Sequence, residues 1–348
     1  MKAYNAKDIR NIAIAGHGGR GKTTLAEAML YTAKATDRLG RVADGTTVLD
    51  FDAEEKKRKA TVSTAVAAIE WNGAKINIID TPGLFDFAGG MSEGIRAADS
   101  VLIVTAAGSG FDVGAEKALK AANARGISRM FAITRCDADN TDFYKTFAAI
   151  KEEVGAAICP VIVPHMENGK VASYVNLASR KAFDYSGGTK KEVDMPSDAQ
   201  LDEMLDILTE AVASSDDELM EKFFAGETFT REEIIKALNS GVSDGSVIPV
   251  YACAGYTCEA IDMLLDEIVY SAPSAADKAG ENGLPCDENG PLAAICFKTI
   301  ADPFVGKMSF FKVVSGKIRA RDSPHKTFIW AFIKSGDTLN GMRFGLPA

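Results

Sequence analysis

Short, continuous apolar runs alternate along the chain with stretches in which apolar residues recur every three or four positions. The runs Asn11–Ala15, Ser100–Thr105, Met130–Thr134 and Ile248–Ala252 have the length and content of buried strands. Lys22–Tyr31 and Gly114–Ala124 carry helical spacing. Thr64–Trp71 and Lys75–Ile79 flank Asn72-Gly73. A type I′ turn needs φ > 0 at both central residues, so this pair is predicted to be a hairpin. Strands alternating with helices predict an α/β fold with a mostly parallel, doubly wound sheet, the hairpin adding an antiparallel edge.

The rhythm breaks between about Cys159 and Ser246, where the turn-rich stretch DYSGGTKKEVDMPSD precedes acidic helical patterns. An insertion within the first domain, about residues 159–246, accounts for the break. Ser271–Gly290 is rich in Pro, Gly, Ala and charge, and reads as an exposed linker. Leu292–Ile300 and Met308–Val314 then predict strands of a small β domain. The predicted division is a first domain over 1–275, a linker over 276–290 and a partial β-barrel over 291–348. No internal repeat is visible.

Composition narrows the function classes. With 348 residues, 47% hydrophobic and 25% charged, the chain can bury a real core. A net charge of −9 speaks against a sequence-specific DNA binder, while leaving room for a local basic patch. The stretch Ile12–Ala15 is too short for a signal-peptide core, and no run approaches the ~18 apolar residues of a membrane span. A cytoplasmic chain without membrane contact is expected. Six cysteines in that setting predict free thiols. Cys253 and Cys258 lack the second pair that a zinc site would need.

The chemistry sits at the ends of the predicted strands. Gly16-His17-Gly18-Gly19-Arg20-Gly21-Lys22-Thr23 fits G-x-x-x-x-G-K-[ST] without mismatch, between a strand and a helix. Glycines let backbone N–H groups wrap phosphates, and a helix N-terminus adds partial positive charge. Lys22 would bridge the β- and γ-phosphates and the Thr23 hydroxyl would hold magnesium. Thr24 continues the phosphate-binding run. His17 and Arg20 read equally as phosphate contacts or as solvent-exposed side chains.

Asp80-Thr81-Pro82-Gly83 follows the strand Lys75–Ile79 directly. A carboxylate there can hold a magnesium-bound water, and the Gly83 N–H can reach a γ-phosphate because glycine permits close approach. Thr61, after the charged run Glu54–Lys59, offers a hydroxyl that would complete the magnesium shell when a γ-phosphate is present. Ser63 is the alternative donor, and a β-branched residue opening a strand is the plainer reading of Thr61. Thr134-Arg135-Cys136-Asp137 follows another strand. The Asp137 carboxylate there can accept from guanine N1 and N2, a donor pair that adenine lacks, and an unpaired buried carboxylate would reject the wrong base. Ala254 and Gly255, after Ile248–Tyr251, would bring backbone N–H to the guanine O6. GTP or GDP with magnesium is the predicted ligand set; an ATP-using P-loop enzyme of another class is the competing reading.

The order GHGGRGKTT, a switch Thr, DTPG and a base-reading Asp resembles the translational GTPases, and within them elongation factor G and its relatives. Asp80–Phe87 (DTPGLFDF), Val113–Ala121 (VGAEKALKA) and Ile248–Pro273 look like that family's switch II, following helix and the end of its G domain. Phe297–Gly316 (FKTIADPFVGKMSFFKVVSG) resembles the start of its second, β-barrel domain. The likeness covers roughly residues 8–316. It implies a ribosome-dependent GTPase with an inserted subdomain in its G domain; a monomer is expected. Lys22, Thr23, Thr61, Asp80 and Gly83 match its phosphate and magnesium positions, and Thr134, Arg135 and Asp137 its guanine-reading positions.

The sequence departs from the family at chosen places. Leu84 stands where the family has a His that positions the attacking water, and a leucine can neither orient water nor move a proton. Thr134 and Arg135 replace the Asn-Lys of the guanine motif; the Arg135 stem can still lie along a base. Residues after about Arg321 no longer resemble the family barrel, so a shortened or degenerate copy is one expectation. A non-hydrolysing GTP-binding switch is therefore weighed beside the hydrolase.

Overall fold

The computed structural model describes residues 4–277, 284–302, 306–316, 318 and 328–332. Ten strands form the main sheet: β1 (Ile9–Gly16), β2 (Ala65–Trp71), β3 (Ala74–Asp80), β4 (Ser100–Ala106), β5 (Ser128–Thr134), β6 (Ile158–Glu167), β7 (Lys170–Asn176), β8 (Lys181–Asp184), β9 (Lys191–Val193) and β10 (Ile248–Ala252). Their order is β2-β3-β1-β4-β5-β10-β6-β7-β8-β9. The run from β3 to β6 is parallel throughout, so β1, β3, β5 and β10 all end on one edge. Order reverses at β1, which β3 and β4 flank, and open α/β sheets bind ligands outside the carboxyl ends of strands at such a reversal.

The helices α1 (Lys22–Thr32), α2 (Ala53–Arg58), α3 (Ala88–Ala97), α4 (Val113–Arg125), α5 (Phe143–Val154), α6 (Ala199–Ala213), α7 (Asp217–Phe224), α8 (Arg231–Asp244) and α9 (Ile261–Ser271) complete this part. Covered on both faces, the central strands are apolar without alternation: all seven residues of β4 are buried. Asn72 and Gly73 both have positive φ, 42° and 81°, so the two-residue turn of the β2–β3 hairpin takes the primed form that its sequence favours. Local signals set the helix ends. Asp112 caps α4 by accepting from the Ala115 amide, and Gly126 ends it at φ 62°.

Two boundaries differ from what periodicity alone suggests. The segment 159–246 opens with β6, which pairs in parallel with β10 as part of the central sheet, and β7 to β9 extend that sheet antiparallel. The apolar run of β6 fits a central strand, and the break in rhythm comes only after it. The exposed linker was expected from Ser271, yet Ser271, Ala272, Ser274 and Ala275 are buried, and the Ala275 amide donates to the Ile9 carbonyl at 2.9 Å. Small residues here pack against the sheet rather than into solvent, so the chain leaves the core only after Ala275.

A smaller sheet follows. β11 (Ala293–Asp302) pairs antiparallel with β12 (Gly306–Ser315), and β13 (Phe328–Phe332) lies parallel to β12. Most of the atypical tail from Arg321 lies outside the described residues. Among the described residues no helix is long and apolar enough to cross a membrane.

Candidate functional site

The loop from Gly16 to Gly21 joins β1 to α1 at the carboxyl edge of the sheet. Gly16 needs its missing side chain: at φ +136° a Cβ would stand 2.3 Å from the Val104 carbonyl oxygen. Gly21 enters α1 at φ 91°, in the left-handed region. The loop therefore wraps tightly and borders a cavity of about 330 Å³, whose lining includes Gly18, Lys22, Thr23, Thr24, Thr61 and Gly83. Lys22 is 5% exposed, and its ammonium donates to the His17 carbonyl at 2.9 Å. Burial lowers its pKa, while Asp80, Asp112 and Asp50 favour its charge.

Gly83 lies directly over this loop. A Cβ there would fall 2.1 Å from Lys22 Nζ and 2.7 Å from the Gly18 amide nitrogen. Thr81 secures the segment, its hydroxyl donating to the Ile14 carbonyl at 2.8 Å, and Pro82 packs toward Gly90. Asp80, the last residue of β3, is fully buried, yet neither carboxylate oxygen has a hydrogen-bond partner. Burial pushes its carboxyl up to about 7 against the pull of Lys22 and the nearby Thr23 hydroxyl. That hydroxyl is committed elsewhere. Thr61 Oγ1 lies 2.8 Å from Thr23 Oγ1 and donates its own proton to Asp50 at 2.8 Å, so Thr23 is the donor to Thr61. The chain of bonds leaves oxygen lone pairs and an unsatisfied carboxylate facing one place.

Three acids hold this arrangement, and sequence reading passed over all of them. The Asp50 carboxylate is 2% exposed and takes the Thr61 proton on one oxygen, leaving the other unpartnered. Glu27, on the buried face of α1, accepts from the Val48 and Leu49 amides at 2.7 and 2.9 Å. Glu55 accepts from the Asp52, Val62 and Ser63 amides, so one carboxylate ties the start of α2 to the residues just after Thr61. The signals were present: Asp52 and Glu55 have capping-box spacing, and Glu27 interrupts an otherwise apolar stretch from Leu25 to Leu30.

Side chains within the loop point elsewhere. Arg20 pairs with Asp112 at 2.9 Å. The His17 ring meets Phe85 edge-on at 5.4 Å, and its Nδ1 is buried without a partner. Leu84 is 41% exposed and reaches over Gly18, where a Cβ would come within 2.9 Å of Leu84 Cδ2. An apolar group thus occupies the rim next to Gly83.

A second cavity of about 350 Å³ adjoins the first and shares Gly21, Thr24 and Arg135 with it; Thr134, Asp137, Gly255 and Tyr256 also line it. Thr134 is buried, and its hydroxyl donates to the Arg20 carbonyl at 2.8 Å, tying the loop after β1 to β5. Arg135 has φ 61°, and its guanidinium donates to the Gly19 carbonyl at 2.5 Å. Asp137 accepts from the Thr257 hydroxyl at 3.3 Å. Gly255 packs against the backbone of α1, 3.3 Å from Leu25 Cα for an added Cβ. Ala254 beside it is fully buried, and its amide donates to the Glu259 carbonyl at 3.0 Å. Tyr256, which sequence reading missed, receives a hydrogen bond from Arg41 at 2.7 Å, and the same guanidinium lies 4.5 Å from its ring centroid.

The linked cavities, one lined by loop glycines and Lys22 and the other by Asp137, have the layout of a nucleotide site. Comparison with known proteins bears on its class. The family of the elongation factor Tu GTP binding domain matches residues 7–274. Elongation factor G-like proteins of two Mycobacterium tuberculosis strains, CDC 1551 / Oshkosh and H37Rv, are 32% identical over 347 residues. Those alignments cover 95% of this chain and 48% of each relative, so the chain spans about half the length of the curated relatives it matches. A crystal structure from Thermus thermophilus superposes with a TM-score of 0.82 at 32% identity, covering 91% of this chain and 47% of that one. The chain belongs to the translational GTPase family, with an elongation factor Tu-type GTP binding domain over residues 7–274.

Proposed function

We propose that the chain binds GTP and GDP with magnesium and acts as an elongation factor G-like GTPase on the ribosome. One observation carries this reading: the Thr23 and Thr61 hydroxyls lie 2.8 Å apart beside the orphaned Asp80 carboxylate. Adjacent oxygens on an octahedral magnesium, each about 2.1 Å from the metal, would stand about 3 Å apart. Thr23 and Thr61 would hold the ion directly and Asp80 through water, with phosphate oxygens and water completing six ligands. Lys22 and the loop amides would take the phosphates. Asp137 would read guanine N1 and N2, Arg135 would lie along the base, and the Gly255 amide would face O6, because the Ala254 amide is held by the Glu259 carbonyl. Bound magnesium supplies charge neutralisation of the phosphates.

Thr134 enters this scheme through its bond to the Arg20 carbonyl, positioning the phosphate loop. Leu84 supplies no group to orient water, so the partner contributes that function. Residues 1–275, the segment 159–246 included, serve as the G domain, 276–290 as a linker and the second sheet as the start of a barrel. The site of action is the cytoplasm and the working form a monomer. The test is GTP turnover with and without ribosomes, on protein shown to bind a fluorescent GDP analogue. Ribosome-stimulated turnover supports the proposal. Tight binding with turnover at the ribosome background would make the chain a non-hydrolysing switch.

A further inference from the structure

Lys298, on β11, is 7% exposed although it carries a charge. Its ammonium donates to Ser63 Oγ at 2.6 Å and to the Thr64 carbonyl. Both acceptors are neutral oxygens, and the ring of Phe310 lies 5.9 Å from the charge. Burial lowers the pKa of Lys298, with Glu93 and Glu55 favouring its charge. Ser63 and Thr64 belong to the segment that carries Thr61. The Ser63 amide is held by Glu55 at 3.1 Å, and the Thr64 hydroxyl donates to the Gly90 carbonyl on α3 at 2.8 Å. One ammonium therefore joins the second sheet, the Thr61 segment and, through Thr64, the helix after Gly83.

We propose that Lys298 is a positioning residue that couples the seating of Thr61 beside Thr23 to the docking of the second sheet. The acceptors of Lys298 exist only while residues 61–64 hold this path. A segment that peels away would strand a buried charge without hydrogen bonds, which is costly. Docking of the sheet and closure over the phosphate cavity therefore favour each other by the same free energy. Phosphate specificity follows, because Thr61 is the donor reserved for a triphosphate while Lys22 and the loop serve both nucleotides. The inference rests on the nucleotide reading of this site.

The test uses the whole chain and two substitutions. Lys298→Met removes the charge and keeps the side-chain length. Ser63→Ala reaches the same contact without touching the second sheet. Titrations with fluorescent GDP and with a non-hydrolysable fluorescent GTP analogue, in magnesium, give two affinities per variant. Lys298→Met is expected to weaken the triphosphate about tenfold, equivalent to about 1.4 kcal/mol, with GDP changed by less than about twofold. Ser63→Ala should shift in the same direction, and the double variant should be no weaker than Lys298→Met, because the two groups share one interaction. Hydrogen exchange on nucleotide-free protein gives a second, independent readout: the Val62 and Ser63 amides should exchange about tenfold faster in Lys298→Met, as protection reports local opening. Equal loss of both nucleotides, additive single effects, or unchanged exchange at Val62 and Ser63 would overturn the coupling. Failure of the unsubstituted chain to bind either nucleotide would sink the nucleotide reading, and the exchange result would still decide the coupling.

Discussion

Asp80→Asn should stabilise the magnesium-free, nucleotide-free protein at alkaline pH, an unusual outcome for a fully buried polar residue. The Asp80 carboxyl is pushed from 3.8 to about 7 by burial. The folded state thus holds a proton that the unfolded state has already released between those values. Stability contributed by this group is intact below the unfolded value and is lost as pH rises toward the folded one. One such proton costs about 1.4 kcal/mol per pH unit, so the three-unit window sets a ceiling of about 4 kcal/mol at pH 8. The assay is urea denaturation in EDTA at several pH values, comparing parent and variant. The difference between the two curves isolates Asp80 from other raised groups such as Glu267, which is also pushed up to about 7. The variant should match the parent near pH 4 and exceed it by about 2–4 kcal/mol at pH 8. With magnesium and GTP the order should reverse, because ligand that binds only the folded state adds stability and the parent binds it better. A variant less stable than the parent at pH 8 in EDTA would show that burial of the Asp80 carboxylate carries no such cost.

Three further outcomes follow from the same geometry. Gly83→Ala should weaken a GTP analogue by at least about tenfold, about 1.4 kcal/mol, in a fluorescence titration, since its Cβ collides with Lys22 and the Gly18 amide. Asp137→Asn should lower GDP affinity by about 10- to 100-fold, the range of a hydrogen bond to a charged group, while inosine diphosphate, lacking the 2-amino group, loses less; a competition assay reads both. Lys312→Met should destabilise the chain by about 3 kcal/mol in thermal or urea unfolding, because it strands the buried Asp99 carboxylate. Lys312 donates to that carboxylate at 2.5 Å, with Asn11 on the other oxygen at 2.7 Å.

The glycine-rich loop between β1 and α1 and the central strands were legible because local sequence determines them. Gly16 and Gly21 are demanded by backbone paths no other residue takes easily, and the runs around Ile12, Leu102 and Phe131 are buried on both faces. The start of the insertion was misplaced because β6 finds its partner in β10, about ninety residues on, and no local pattern encodes that pairing. Within the site, residue types marked chemistry but not direction. By resemblance Thr134 is expected to read the base, yet its hydroxyl turns to the Arg20 carbonyl. Arg20 turns from the phosphate cavity to Asp112. The role of Lys298 was invisible, since it depends on a contact across more than two hundred positions.

On the proposed reading, the cavities at the ends of β1, β3, β5 and β10 hold a guanine nucleotide with magnesium. Displacement of a fluorescent GDP analogue, run with GTP, GDP and ATP as competitors in magnesium and again in EDTA, tests it most directly. GTP and GDP should displace the probe at low concentrations, ATP should do so at least about a hundredfold less well, as a site built to bond the guanine donors allows, and EDTA should weaken GTP more than GDP. Displacement by ATP as readily as by GDP, or GTP affinity indifferent to EDTA, would contradict it.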